Sequence, residues 1–321
     1  MSASGNHDRQ RPTVLARDLH KTYPGDVHAV RGISFEVRAG EVFGLLGPNG
    51  AGKSTTIGML TTTVRPSHGS AQLAGHDVVT DPLGARSVSS VVFQDAVVDR
   101  GLSGLRNLQL HAKLWGVAAS VASERIAALA TSFDLDGILA RPVDSYSGGQ
   151  RRRLEIARAL VSEPQVLFLD EPTVGLDTRI RFELLDLIAG LRSRTGMTTV
   201  LTTHHLDEAE RLCDRIAIVH GGRIVALDTP TALLAGLGDE LVELRVTADG
   251  ERTLTQLQQH GGADDRAFAV GATLTIPIEP GTTQRTLAAI DALDITTHAV
   301  TTRRPNLDDV YLQLTGARLA A

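Results

Sequence analysis

Cysteine is almost missing from this chain of 321 residues and occurs once, as Cys213. A single thiol closes no internal disulfide, so the fold rests on its core, and a reducing cytoplasm suits it. Leu212 and Ile216 beside it suggest a buried or half-buried thiol, with no metal-ligand spacing around it. A basic excess is also missing. The chain carries 32 Lys and Arg against 37 Asp and Glu, a formal charge of −5, so nucleic acid is not an expected partner. Lysine itself is confined to Lys21, Lys53 and Lys113. That bias fits a GC-rich genome, in which few positions demand a lysine, and Lys53 is expected to be one of them. Long apolar runs are lacking too: none approaches the ~18–20 residues that cross a bilayer. Residues 1–11 form a polar tail, unlike a signal peptide. If the protein works at a membrane, another chain supplies the part that spans it.

The chain does hold enough apolar material, 42%, for one large domain and a smaller one. Ile33, Phe35 and Val37 alternate with polar residues as in a strand. Residues 41–46 read as a short apolar strand, followed by a glycine-rich loop and a helix with Ile57 and Leu60 that breaks near Pro66. Residues 101–160 read as mostly helical. Residues 166–169 and 199–202 are buried strands, the second leading to a helix from Leu206, and His220-Gly221-Gly222 joins a hairpin. Strands alternating with helices predict an α/β domain with a mainly parallel sheet. After Pro230 the order changes to strand (241–247), helix (251–260), two strands (266–270, 272–278), helix (283–293) and strand (296–302). That is the order of a split βαβ sandwich. A last helix, capped by Asn306, carries an apolar stripe of Leu307, Val310, Tyr311 and Leu314. The stripe packs either on its own chain or on a partner.

The chemistry begins at Gly47-Pro48-Asn49-Gly50-Ala51-Gly52-Lys53-Ser54-Thr55, which contains the phosphate-loop pattern G-x-x-x-x-G-K-[ST] between a strand and a helix. Glycines let backbone N–H groups surround phosphate oxygens, and the helix N-terminus adds the positive end of its dipole. In such a loop Lys53 reaches the β- and γ-phosphates of ATP, and the Ser54 hydroxyl ligates Mg²⁺. Downstream, an apolar strand ends in Asp170-Glu171. Asp170 is expected to hold Mg²⁺, directly or through water, and Glu171 to act as general base on the attacking water.

Between these two motifs stands Tyr146-Ser147-Gly148-Gly149-Gln150, followed by three arginines. The stretch resembles the signature of ABC ATPases, usually Leu-Ser-Gly-Gly-Gln, with Tyr146 in the first position. The resemblance covers residues 13–230 and implies a P-loop NTPase of the ABC cassette type, a RecA-like core with a helical subdomain at about residues 96–160. It further implies that Gln94 senses Mg²⁺ and faces the permease, that Asp177 lies in the D-loop at the dimer seam, and that His204 is the switch histidine. His205 beside it stands where the family often has an aromatic or acidic residue. Tyr23 takes the place of the adenine-stacking aromatic. Ser147, Gly148, Gly149 and Gln150 then contact the nucleotide of a second ATP-binding subunit, most simply another copy of this chain, on the cytoplasmic face of the membrane beneath a permease.

The remaining residues, 231–321, are expected to form a small α+β C-terminal subdomain. Pro305-Asn306-Leu307-Asp308-Asp309-Val310-Tyr311 and the residues to Gly316 resemble the tail of daunorubicin-resistance ATPase subunits, which belong to drug, lipid and polysaccharide exporters. Arg106, where that branch often has Glu, and Thr178, where Pro often follows the D-loop, depart from the pattern. Two other readings stand beside the exporter. One is an importer ATPase, which the tail motif disfavours. The other is a soluble ABC protein of translation or repair, disfavoured by the single cassette and by a short, heptad-free segment between Ser54 and Ser147.

Overall fold

The computed structural model describes residues 12–247, 249–279, 283–293 and 295–317; the polar tail of residues 1–11 lies outside them. The chain divides into two compact units at Ile224/Val225, six residues before the composition changes at Pro230.

The first unit is built on a six-stranded sheet. Its strands run in the order Arg223–Asp228, Arg215–His220, Val42–Leu46, Thr198–Thr203, Val166–Asp170 and Ser89–Val92. The pairs from Arg215–His220 to Ser89–Val92 are parallel. Val42–Leu46 and Val166–Asp170 are buried at every residue, as expected of strands covered on both faces. The register aligns Leu46 with Thr203, Asp170 with Thr202 and Val92 with Leu169. The loops that follow these strands therefore leave from one carboxyl edge, the edge where open α/β sheets bind ligands.

A second, antiparallel sheet contains Val27–Arg38, Pro12–Tyr23, His68–Leu73 and His76–Asp77. Alternation in the sequence exposes only the middle of its second strand. The first, Pro12–Tyr23, escapes that reading because repeated register shifts interrupt its alternation. Phe35 stacks on Phe43 with ring centroids 5.0 Å apart, joining the two sheets through one apolar layer. Cys213 is buried, its thiol pushed up by desolvation, and its Sγ would lie 2.8 Å from a Cβ at Gly44. Its role is packing.

The helical stretch resolves into Gly104–Leu114, Ala119–Ser132 and Gly148–Leu160. Ser103 caps the first, accepting a hydrogen bond from Arg106 N. Inside this group His111 is buried against Arg158, whose guanidinium faces Nδ1 at 3.5 Å, and it stacks on Trp115 at 4.2 Å.

The second unit, taken alone, holds an antiparallel sheet ordered Phe268–Val270, Thr273–Ile278, Glu240–Val246 and Thr297–Arg303. The helices Gly250–Gln259 and Thr283–Ala292 supply the crossovers, which is the split βαβ topology. Val242, Leu244, Leu257, Leu274, Ile276 and Ile290 form its core. The last helix, Leu307–Thr315, starts in a capping box of Asn306 and Asp309. Arg303 grips both oxygens of Asp309 at 2.6 Å. Leu307, Val310 and Tyr311 are buried as the stripe requires, but Leu314 is 42% exposed and Leu312 is buried instead. The helix packs on Pro230–Ala235. Tyr311, 0% exposed, is thus covered within a single chain.

Burial, together with Arg158, lowers the His111 pKa to about 4. Its neutral form is therefore the native one. The unfolded chain binds the proton near pH 6.5, the folded chain only near 4, so this stabilisation is complete above pH 6.5 and lost as pH falls toward 4. Urea unfolding followed by Trp115, the one tryptophan, is expected to lose up to about 3 kcal/mol across that window, and His111→Phe to flatten the slope.

Candidate functional site

At the carboxyl edge of the parallel sheet, Gly47 follows Leu46 and turns the chain against the next strand. A Cβ at Gly47 would come within 2.3 Å of the Val219 carbonyl. Gly50 and Gly52 take φ of 80° and 103°, values that L side chains avoid. At Gly52 a Cβ would also meet the Ala29 carbonyl at 2.5 Å. The backbone can therefore close into a loop that opens directly onto the helix Lys53–Leu60.

Lys53 is 3% exposed. Its ammonium donates to the carbonyls of Gly47 at 2.7 Å and Pro48 at 3.1 Å, and lies 3.2 Å from Glu171 Oε1. Glu171 is 5% exposed and sits at φ 44°, a left-handed conformation that costs a non-glycine residue about 1–3 kcal/mol. Its other oxygen lies 3.3 Å from His204 Nδ1. That nitrogen is buried and lacks an aligned hydrogen-bond partner. Beside it lies His205, tilted 41° to the His204 ring with centroids 4.2 Å apart, its imidazole held below the usual range by burial. Ser54 Oγ donates to Asp170 Oδ1 at 3.1 Å.

These groups border a cleft of about 540 Å³ lined by Tyr23, Asn49, Gly50, Gly52, Lys53, Ser54, Thr55, Gln94 and Glu171, with Val27, His28 and Ala29. Tyr23 ends the strand Pro12–Tyr23 and pairs with Val27. Gln94 stands exposed two residues beyond Ser89–Val92. The structure thus brings together the phosphate loop, Asp170, Glu171, His204, Gln94 and Tyr23. It does not bring residues 147–150 or Asp177 into that cleft. Ser147 caps the helix Gly148–Leu160 in a reciprocal capping box with Gln150. Gly149 packs so tightly that a Cβ would lie 2.5 Å from Ile180 Cγ2. Asp177 is exposed and caps the helix Thr178–Thr195 through Ile180 N. Ser147, Gly148 and Asp177 all face solvent.

Three supports of the site escape sequence reasoning. Thr202 accepts from Glu171 N at 2.9 Å and donates to Asp170 Oδ1 at 2.6 Å, orienting the Asp170 carboxylate and the backbone of Glu171. Glu208, 0% exposed, accepts from Thr203 Oγ1 at 2.7 Å and from Thr173 Oγ1. Arg152, buried on the helix Gly148–Leu160, donates to the carbonyls of Phe93 and Pro172 at 2.6 Å, Asp170 at 3.2 Å and Glu171 at 3.3 Å. Glu155 pairs with it at 2.9 Å and accepts from Val97 N. As the middle of three arginines, Arg152 carries no local signal that separates it from its exposed-type neighbours.

The family profile described as ABC transporter matches residues 30–174. The chain is 42% identical over 309 residues to the doxorubicin resistance ATP-binding protein of Mycobacterium tuberculosis, covering 94% of this chain and 93% of that one. It is 41% identical over 304 residues to the daunorubicin/doxorubicin resistance ATP-binding protein of Streptomyces peucetius, covering 93% and 91%. A solved structure described as the ATP-binding subunit of an ABC transporter superposes with a TM-score of 0.63 at 28% identity, covering 70% of this chain and 92% of that one. Among the described residues no helix is long and apolar enough to cross a membrane. The chain belongs to the ABC transporter family, in its daunorubicin/doxorubicin-resistance branch of exporter ATP-binding subunits, and it is an ATPase.

Proposed function

We propose that this chain works as one of a pair of copies on the cytoplasmic face of a membrane, beneath a separate permease, and that closure of the pair around ATP drives export. The observation that carries this reading is Glu171, suspended between Lys53 at 3.2 Å and His204 at 3.3 Å at the mouth of the glycine cradle.

Lys53 donates hydrogen bonds to the Gly47 and Pro48 carbonyls and pairs with Glu171. A γ-phosphate in the cradle draws the ammonium to itself and frees Glu171 to accept a proton from water. His204 Nδ1, buried and unaligned with any acceptor, then donates to a phosphate oxygen or holds the water. Ser54 and Asp170 supply oxygen donors 3.1 Å apart, the hard ligands that suit Mg²⁺. Bound there, Mg²⁺ neutralises charge on the β- and γ-phosphates. Gln94 lines the same cleft and on this reading links the ion to the permease. Tyr23 offers a half-exposed ring for adenine.

The pairing follows from what the cleft lacks. None of residues 147–150 lines it among the described residues, and Ser147 and Gly148 face solvent. A phosphate contact from the signature is therefore made to a second copy. ATP favours the closed pair because only that state makes those contacts, and hydrolysis removes the preference.

Arg152 is the positioning residue of this arrangement. It fixes the backbone of Asp170, Glu171 and Pro172 and, through the Phe93 carbonyl, the approach to Gln94. The helix that starts at the signature is so tied to the turn that holds the base.

Glu171→Gln is expected to lower steady-state ATPase by about 10²–10⁴-fold while the variant still binds ATP; near wild-type turnover would remove Glu171 from the mechanism. In the same background, light scattering is expected to register an ATP-dependent monomer-to-dimer shift that Ser147→Arg abolishes, and a mass unchanged by saturating ATP would count against the pair. Arg152→Gln is expected to cut kcat by about 10–100-fold with ATP affinity held, beside a lower melting temperature from leaving the buried Glu155 unpaired. Arg152→Lys should recover little, since an ammonium lacks the guanidinium fork. A loss of ATP affinity equal to the loss in kcat would make Arg152 merely structural.

A further inference from the structure

Outside the nucleotide cleft, one cluster of metal-ligating side chains stands out among the described residues: Asp18, His20 and His68, whose ligand atoms all lie within 4.8 Å of one another. Asp18 Oδ1 lies 2.9 Å from His20 Nε2, and Asp18 Oδ2 lies 3.4 Å from His68 Nδ1. The two imidazoles meet edge to face, 5.5 Å between centroids.

The backbone builds this meeting. His20 and His68 are registered partners across the antiparallel strands Pro12–Tyr23 and His68–Leu73. On both sides of Pro12–Tyr23 the register breaks between Ala16 and His20, and inside this bulge Asp18 adopts φ 49°. Bulges re-aim side chains; without one, Asp18 would share a face with His20 but stand a full two-residue step away. Asp18 N donates to Ser34 Oγ at 2.8 Å, which fixes the bulge to the strand Val27–Arg38. Gly32, at φ 90°, flanks the cluster. A Cβ there would sit 3.0 Å from Asp18 Oδ1 and 3.3 Å from His20 Nε2, so glycine leaves the ligating atoms uncovered. Gly69, at φ 85°, permits the close approach of the opposite strand, since a Cβ there would overlap the Asp18 carbonyl at 2.1 Å.

We propose that Asp18, His20 and His68 form a surface site for a divalent transition-metal ion of the zinc type. Two imidazole nitrogens and one carboxylate select Zn²⁺, Co²⁺ or Ni²⁺ over Mg²⁺ and Ca²⁺, which take oxygen ligands. Three protein ligands leave a fourth tetrahedral position for water. The donor set is thus chemically distinct from the oxygen pair of Ser54 and Asp170, and a cell's Mg²⁺ does not compete for it. The ion joins Pro12–Tyr23 to His68–Leu73, and because it binds only the folded arrangement it stabilises that sheet. Tyr23, three residues after His20, stands at the end of the same strand, so the ion stiffens the strand that carries one wall of the nucleotide cleft.

Untagged protein stripped with chelator is titrated with Zn²⁺ by calorimetry and with Co²⁺ by visible absorption, both in excess Mg²⁺. One ion per chain is expected, with a Co²⁺ spectrum of low coordination number. His20→Gln and His68→Gln are each expected to weaken binding by about tenfold or more, whereas His76→Gln, a histidine paired with Asp81 elsewhere, should leave it unchanged. The metal-free melting temperature of each variant reports its folding. For the wild type alone, Zn²⁺ should raise the melting temperature and chelator should reverse the rise. No shift with Zn²⁺, or a stoichiometry and affinity untouched by losing both histidines, would overturn the site.

Discussion

A buried ammonium and a buried carboxylate face each other at 3.2 Å where the phosphate loop meets the end of the strand Val166–Asp170, and the surrounding architecture exists to hold them there. Lys53 and Glu171 are 3% and 5% exposed. Taking both charges out of water costs several kcal/mol per ion, and their mutual attraction rarely does more than offset it. A left-handed backbone at Glu171 adds to the cost. Such an arrangement is weak as a source of stability and strong as a preorganised site.

Holding a strained residue requires that its neighbours over-determine it. The turn after Asp170 is gripped from three directions. Thr202 serves both Asp170 and Glu171 N from the adjacent strand. Arg152 takes four carbonyls from the helix above. Glu208 draws Thr173 and Thr203 together from the helix Leu206–Leu212. Each grip originates on a different element, so the turn cannot relax without disturbing the strand Thr198–Thr203, the helix that starts at the signature, or the helix after His204. In the proposed function, a shift of the helix Gly148–Leu160 is therefore a shift of the carbonyls beside Glu171.

Much of this was legible in the sequence because the chemistry is local there. The phosphate loop needs glycines at fixed offsets before Lys53, and the spacing survives translation into structure intact. Asp170 and Glu171 end an apolar run, and parallel pairing alone carries that run's end to the same edge as Leu46. In the second unit, the order of strands and helices implied the split βαβ topology, because turn signals separate short elements cleanly. What stayed hidden depends on three-dimensional register. The strand Pro12–Tyr23 is bulged, so no two-residue period runs through it. Arg152 acts through carbonyls distant in sequence, Thr202 through the Asp170 carboxylate and Glu171 N, and Glu208 through the hydroxyls of Thr173 and Thr203, which leaves no spacing to read. On the last helix Leu312 is buried and Leu314 is exposed, a difference that the helical period alone does not carry.

The signature segment carries two demands on the same atoms. The first turn of the helix Gly148–Leu160 presents N–H groups without intrahelical partners. Ser147 Oγ satisfies that of Gln150, and the Gln150 side chain returns the bond to Ser147 N. The capping box therefore settles Gln150 and leaves the amides of Gly148 and Gly149 at the positive end of the dipole. Any side chain on Gly149 would collide with Ile180, on the helix that Asp177 caps. Gly149 and Ile180 thus pack the two helix starts together, with Ser147, Gly148 and Asp177 exposed and none of them lining the chain's own cleft. A surface built that way is complementary to a nucleotide held elsewhere, and in the proposed pair that nucleotide belongs to the second copy.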